Sequence, residues 1–304
     1  MTRANDKTGQ DGIMQIAYHI GVHCTDGDRM LKTLLNNRNW LLREGTEVVT
    51  PNRHRAVLDE ALEALQGGTA TPEMEQIMLD ALVESDNPSR LVMSSATFMG
   101  APGRVCGQGG LYPQMGARVS ALRKLFPSAE CEFFVAIRNP ATLLTEVLPQ
   151  FTGGGYRELV QGCRPEDLRW RDPLLSLLRA AAGCRVVIWC HEDVPLIWPE
   201  LVRLLGHIPQ DVPLSGALIY MYDLLGEAGI ARLRDAVAGQ DNLDITRRRD
   251  IYARVLEKYA LPGTLDQVID LPGWTQEVVD QVTDLYRADA AMIAAQPGVE
   301  FVLP

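Results

Sequence analysis

Three features of the sequence predict an α/β fold: a central parallel sheet covered by helices on both faces, in three layers, with a helical C-terminal part. Short apolar runs alternate with longer stretches of helical periodicity. The runs are apolar throughout, as in strands buried on both faces. Prolines and glycines punctuate the chain where one element should give way to the next.

Ile16 to Val22 is the first apolar run and reads as a buried strand. The polar turn His23 to Asp28 follows, and then a helix from Arg29 to about Arg43, its apolar face made by Met30, Leu31, Leu34, Leu35, Leu41 and Leu42. Asp26 or Asp28 can cap that helix and complement its dipole. Gly45 to Thr50 reads as a short strand or an extended loop. Pro51 to Leu65 and Pro72 to Val83 are helices opened by proline and separated by Gly67-Gly68. Ser89 to Ser95 is a second strand, and the Gly- and Pro-rich stretch from Ala101 to Tyr112 is a loop. A helix is expected over Pro113 to Phe126, a third strand over Cys131 to Ile137 and a helix over Ala141 to Phe151. Gly153 to Gly155 breaks the chain, two short helices and one from Asp172 to Ala182 follow, and Arg185 to Cys190 is a fourth strand. Beyond it lie a helix over Pro195 to Leu205 and only helical patterns, ending in Thr275 to Ala295 and an extended tail, Pro297 to Pro304.

The 304 residues are within reach of one large core, so a single domain over 1–304 is expected, with 1–14 as a loose lead-in and 213–304 as a mostly helical extension. With 46% hydrophobic and 22% charged residues, the usage is that of a globular chain. A net charge of −10, with Arg247, Arg248 and Arg249 as the one short basic cluster, argues against a nucleic-acid partner. Asp244 and Asp250 flank that cluster, which reads as a solvated, salt-bridged helix face. The sequence shows neither a signal peptide nor a long apolar span, so no membrane partner is expected. Six scattered cysteines without a Cys-x-x-Cys pair fit neither a disulfide framework nor a zinc ribbon, and a reducing cytoplasm is the expected location. Oligomeric state is not legible.

Ligands in parallel sheets bind at the carboxyl ends of the strands. That rule selects three loops: His23 to Asp28, Arg138 to Pro140 and His191 to Asp193.

Those loops carry a resemblance to the sulfotransferase family. His19-Ile20-Gly21-Val22-His23-Cys24-Thr25-Asp26-Gly27-Asp28 is similar to the His-Ile-Gly-x-His-Lys-Thr-Gly-Thr-Thr of bacterial members. Phe134-Val135-Ala136-Ile137-Arg138-Asn139-Pro140 resembles the strand that ends in Arg-Asp-Pro. Val187-Ile188-Trp189-Cys190-His191-Glu192-Asp193, with Trp198-Pro199-Glu200 and Leu204-Leu205-Gly206 after it, resembles the strand followed by Tyr-Glu-Asp-Leu and a helix ending in Leu-Gly. The likeness runs over residues 15 to 210, in the family's order. It implies the P-loop, sulfotransferase-like version of the fold and the donor 3′-phosphoadenosine 5′-phosphosulfate. It also implies transfer of a sulfuryl group to a hydroxyl or amine on a small-molecule or glycan acceptor. On this resemblance Cys24, Thr25, Asp26, Gly27, Asp28, Arg138 and Glu146 stand at donor-binding positions, with His23 or His191 as base.

The same alignment exposes departures. The family's loop lysine is Cys24, its glycine is Asp26, and its two threonines are Gly27 and Asp28. The serine expected beside the 3′-phosphate falls on Glu146. A thiol cannot neutralise developing sulfate charge, and a like-charge contact at about 4 Å costs on the order of 1–4 kcal/mol in a partly wet site. A second expectation follows: a sulfotransferase-fold protein that has lost the donor and serves as a binding or scaffold protein.

Each candidate residue also has a plainer reading. Cys24 is a nucleophile at a helix start or a buried inert thiol; Cys24 to Arg29 is one residue shorter than the Cys-x5-Arg cradle of cysteine phosphatases. His23, Asp26 and Asp28 are metal-ligand types, but capping aspartates explain the pattern more simply, so no metal is expected. Arg138 binds an anion or forms a structural pair with Glu146. His191 is a base that titrates near neutrality or a hydrogen-bonded loop residue, and the resemblance implies that Glu192 and Asp193 hold loops. Ser94, Ser95 and Thr97 orient a substrate hydroxyl or simply end a strand. A nucleoside-phosphate kinase is disfavoured because Gly-x4-Gly-Lys is absent.

Overall fold

The computed structural model describes residues 13–238 and 243–304; most of the predicted lead-in lies outside them. The chain runs through β1 (Gln15–His19), α1 (Arg29–Asn36), α2 (Arg38–Arg43), β2 (Thr46–Val49), α3 (Pro51–Leu65), α4 (Pro72–Leu82) and β3 (Arg90–Ser94). A short antiparallel hairpin, β4 (Cys106–Gly107) and β5 (Gly110–Leu111), precedes α5 (Met115–Leu125) and β6 (Glu130–Ile137). There follow α6 (Pro140–Val147), α7 (Tyr156–Val160), α8 (Arg171–Ala180), β7 (Arg185–Cys190) and α9 (Val194–Gly206). The last elements are α10 (Ile219–Val237), α11 (Ile245–Tyr259), α12 (Gln276–Ala294) and β8 (Val299–Val302).

Six strands form one sheet in the order β2-β3-β1-β6-β7-β8, and every neighbouring pair is parallel. Side chains alternate between its faces. On β6, Phe133, Val135 and Ile137 join an apolar cluster with α3, α5, α6, α8 and α12. Phe134 and Ala136 point the other way, into a cluster with Met30 and Leu34 of α1 and Ile197, Leu201 and Leu205 of α9. Both faces are therefore covered, giving the three-layer α/β arrangement. α10 and α11 enclose a smaller cluster of their own, built on Leu225, Leu233, Ile251 and Leu256.

Several boundaries differ from expectation. β1 stops at His19 because Gly21, at φ +58°, turns the chain out of the sheet. The single helix expected from Arg29 to Arg43 is two, broken at Asn37, whose amide donates to the carbonyls of Thr33 at 2.7 Å and Ser215 at 2.9 Å. The helix expected over Ala141 to Phe151 ends at Val147 and tightens into a 3-10 turn, Leu148–Gln150. The loop over Ala101 to Tyr112 contains the hairpin. The C-terminal tail, expected to be merely extended, is β8, which adds the sixth strand beside β7. Arg248 and Arg249 are not a solvated face: both pair with the buried Glu200 of α9, and Arg249 donates to the Leu303 carbonyl at 2.7 Å.

The chain leaves β1 toward the β2 edge and leaves β6 toward the β8 edge. The point of reversal, between the carboxyl ends of β1 and β6, is where open parallel sheets leave a crevice. No helix among the described residues is long and apolar enough to cross a membrane.

Candidate functional site

The crevice is a cavity of about 780 Å³ over the carboxyl ends of β1, β6 and β7. The three predicted loops meet there: Cys24, Thr25, Asp26, Gly27, Arg138, Glu146 and His191 all line it. The irregular segment from Gly263 to Ile269 forms a further wall.

Beyond Gly21, the turn His23 to Asp28 is shaped by three residues with positive φ: Cys24 at 59°, Gly27 at 55° and Asp28 at 62°. Alternation of this kind gathers main-chain amides into an anion-binding concavity. The amides of Cys24 to Asp28 have no hydrogen-bond acceptor among the described residues. The start of α1, however, is already occupied by the protein: an Asp26 carboxylate oxygen accepts from the Met30 amide at 3.0 Å. Asp28 stands at the N-cap position without a side-chain cap bond. Thr25 turns its hydroxyl back to the Val22 carbonyl at 2.8 Å.

Arg138, at the end of β6, is 7% exposed. Its guanidinium donates to the Cys24 carbonyl, to Thr142 Oγ1 at 3.0 Å and to Gln267 Oε1 at 2.7 Å, and it lies 3.8 Å from a Glu146 oxygen. Gln267 donates in turn to Glu146 at 2.9 Å. Arg29, the second guanidinium in the wall, donates to Asp223 at 2.5 Å and lies over the Tyr220 ring, 5.0 Å from its centre. Burial pushes the Cys24 thiol up, partly offset by Arg138, so the thiolate that a nucleophile needs is disfavoured. Gln150 donates to its sulfur at 3.2 Å.

His191 borders the cavity with its Nδ1 buried and without a partner among the described residues. Burial, then the charges of Arg138 and Arg29, pull its pKa down to about 3. It is a neutral hydrogen-bonding ring and a weak base, rather than a group titrating near neutrality. Glu192 is a brace: one oxygen accepts from the Asn139 amide at 2.8 Å and the other from Tyr286 of α12 at 2.6 Å. Burial, then the charge of Glu192, raises Asp193 to about 6.

The structure places His23 elsewhere. It is 4% exposed; its Nε2 donates to the Gly100 carbonyl at 3.0 Å, and its Nδ1 accepts from the Tyr112 hydroxyl at 2.9 Å. It does not line the cavity, so it has no route to a reacting group there. Ser94, Ser95 and Thr97 also lie outside it: Ser94 bonds His19 at 2.8 Å, and Ser95 caps the short turn Ala96–Met99. Among the described residues no three His, Cys, Asp or Glu side chains gather as metal ligands.

No protein-family model matches this chain, and no curated protein matches it. The expected likeness to sulfotransferases therefore rests on three short sequence motifs and their order along the chain.

Sequence reasoning missed Tyr220, Asp223 and Gln267, and met Arg29 only as the end of a Cys-x4-Arg spacing. Arg29 carries a local signal, since it opens α1 directly after the loop. Tyr220, Asp223 and Gln267 carry none, because they reach the site from more than 190 or 120 residues away in the chain.

Proposed function

We propose that this chain is a ligand-binding protein that keeps a sulfotransferase-like framework without using the phosphosulfate donor. One observation carries the reading: both guanidiniums of the cavity and the start of α1 are already held by the chain's own acceptors. Asp26 holds the start of α1, Asp223 holds Arg29, and Cys24, Gln267 and Glu146 hold Arg138. Asp26, Glu146, Glu192, Asp223 and Asp266 line the cavity against Arg29 and Arg138. A polyanionic donor would have to displace these partners and then face their carboxylates. The volume suits one small molecule, since such sites span about 300–1,000 Å³. A neutral or cationic ligand with hydroxyl or amine donors fits best, because it meets the carboxylates of the wall.

Calorimetric titration with 3′-phosphoadenosine 5′-phosphate at low salt tests this. The unmodified chain should give no binding heat. The combined variant Cys24→Lys, Asp26→Gly, Asp28→Thr and Glu146→Ser should gain it. Micromolar binding by the unmodified chain, about −8 kcal/mol, abolished by Arg138→Ala, would sink the proposal.

A second reading keeps sulfuryl transfer to a hydroxyl or amine acceptor. The unpaired amides of Thr25 to Asp28 favour it, since a concavity of free N–H groups suits an anion. In that reading Arg138 would have to release Glu146 and Gln267 to take the donor phosphate. Turnover of labelled donor by the unmodified chain would decide for it.

A further inference from the structure

The opposite end of the sheet carries a second constellation. Cys131 is the second residue of β6, and Cys184 is the residue before β7. The β6–β7 pairing begins with Glu132 opposite Arg185, so Cys131 and Cys184 are the residues directly before that first pair and lie beside each other. Adjacent strands lie about 4.8 Å apart. A disulfide spans Cα separations of about 4.4–6.8 Å. In a parallel pair, opposed residues also share a face, and both cysteines line one cavity of about 670 Å³ at the amino ends of the strands.

The cavity has a chemical bias. Arg123 and Lys124 line it, and each donates only to a main-chain carbonyl, Ala180 at 3.4 Å and Gly67 at 2.8 Å. Neither pairs with a carboxylate among the described residues. Of the two carboxylates in the wall, Glu132 is neutralised by Arg90 at 2.6 Å and Arg185 at 3.6 Å, and Glu130 is exposed. The cations are therefore free to take a ligand carboxylate. The thiols differ in access: Cys184 is half-buried, whereas Cys131 is 5% exposed.

We propose that Cys131 and Cys184 form a dithiol site that exchanges with a small carboxylate-bearing disulfide and closes to an intramolecular disulfide. The Cys184 thiolate attacks one sulfur of the incoming disulfide, forming a mixed disulfide and expelling one thiolate. The Cys131 thiolate then attacks the Cys184 sulfur, forming the Cys131–Cys184 bond and expelling the second thiolate. The protein loses two electrons and two protons, and the small disulfide is reduced to two thiols. Burial holds both thiols up, Cys131 to about 12, which disfavours each thiolate and makes the exchange base-dependent, and the Arg123 charge works against burial at each. Cys184 leads because it is the accessible thiol of the two, and Cys131 resolves.

The probe is glutathione disulfide, applied to the native chain at mildly alkaline pH, with acid quenching and peptide mapping by mass spectrometry. The expected product is a Cys131–Cys184 disulfide. In Cys131→Ser the reaction should stop at a glutathione adduct on Cys184, and in Cys184→Ser Cys131 should stay free. Arg123→Met should slow the native reaction several-fold, and Arg123→Lys should largely restore it. A stable Cys184 adduct in the native chain, oxidation confined to other cysteines, or two unmodified thiols would each overturn the proposal. Mapping of the native chain decides the matter even if a serine variant fails to fold.

Discussion

At the carboxyl end of β6, Arg138 shows how one neighbour redirects a side chain. A guanidinium that already serves Cys24, Thr142 and Gln267, with Glu146 3.8 Å away, spends its donors on the fold. The pairing with Glu146 was one of two open readings of the sequence, and only side-chain geometry distinguishes them. The histidines make a similar point. Burial lowers His19, His23, His54 and His191, His54 to about 4 and His191 to about 3. For a group with a depressed folded pKa, the unfolded chain takes up protons first, starting near the ordinary value of 6.5. Stability should therefore fall as pH drops below that value and keep falling toward the folded values. Asp193, raised to about 6, works in the opposite sense, one group against four. Urea midpoints should be lower at about pH 5 than at about pH 7.5. Equal midpoints would mean that the buried rings gain compensating partners on protonation.

Among the elements, α12 is fastened to the start of α8 by one carboxylate. Asp289 is 1% exposed and accepts from Arg169 at 2.9 and 2.5 Å, from the Trp170 amide at 2.9 Å and from the Arg171 amide at 3.2 Å. These bonds join α12 to the start of α8. Asp289→Ala leaves a guanidinium and two amides without their acceptor, which should cost about 3–5 kcal/mol, read as a shift in denaturant midpoint. Asp289→Asn should recover part of the loss, since the amide oxygen still accepts. Nothing in the sequence marks Asp289, an acid inside an otherwise ordinary amphipathic helix, because its partners lie about 120 residues earlier. Helix starts were easier to read. Pro51 and Pro72 open α3 and α4 as read, and Pro140 opens α6 one residue before the expected start, because proline supplies a helical φ and gives up an amide that would have no partner.

On the scale of the whole molecule, the sheet closes with the chain's last strand. β8 covers the β7 edge, its Glu300 accepts from Arg185 at 2.7 Å, and the Leu303 carbonyl receives Arg249. Truncation after Gln296 should expose the β7 edge and release both arginines, giving a less stable protein that self-associates. Size-exclusion chromatography with light scattering checks this, and a monomer of unchanged stability would count against β8 as the edge cover. The buried strands were legible in the sequence, because a strand covered on both faces must be apolar throughout, and Ile16 to Tyr18, Leu91 to Met93 and Phe133 to Ile137 are. Their alternation with helices determined the parallel sheet, and the carboxyl-end rule selected the three loops that line one cavity. Tertiary structure decided the rest. Val299 to Val302 is short, with Glu300 interrupting its apolar run, and becomes a strand only because β7 offers an open edge beside it. His23 and His191 read alike as loop histidines after strands, and the fold sets one against Tyr112 and Gly100 and the other against the cavity. Asp223 and Gln267 reach the site through chain closure, a contact that local sequence pattern does not encode, because periodicity reports which face is buried and not which distant residue lies against it.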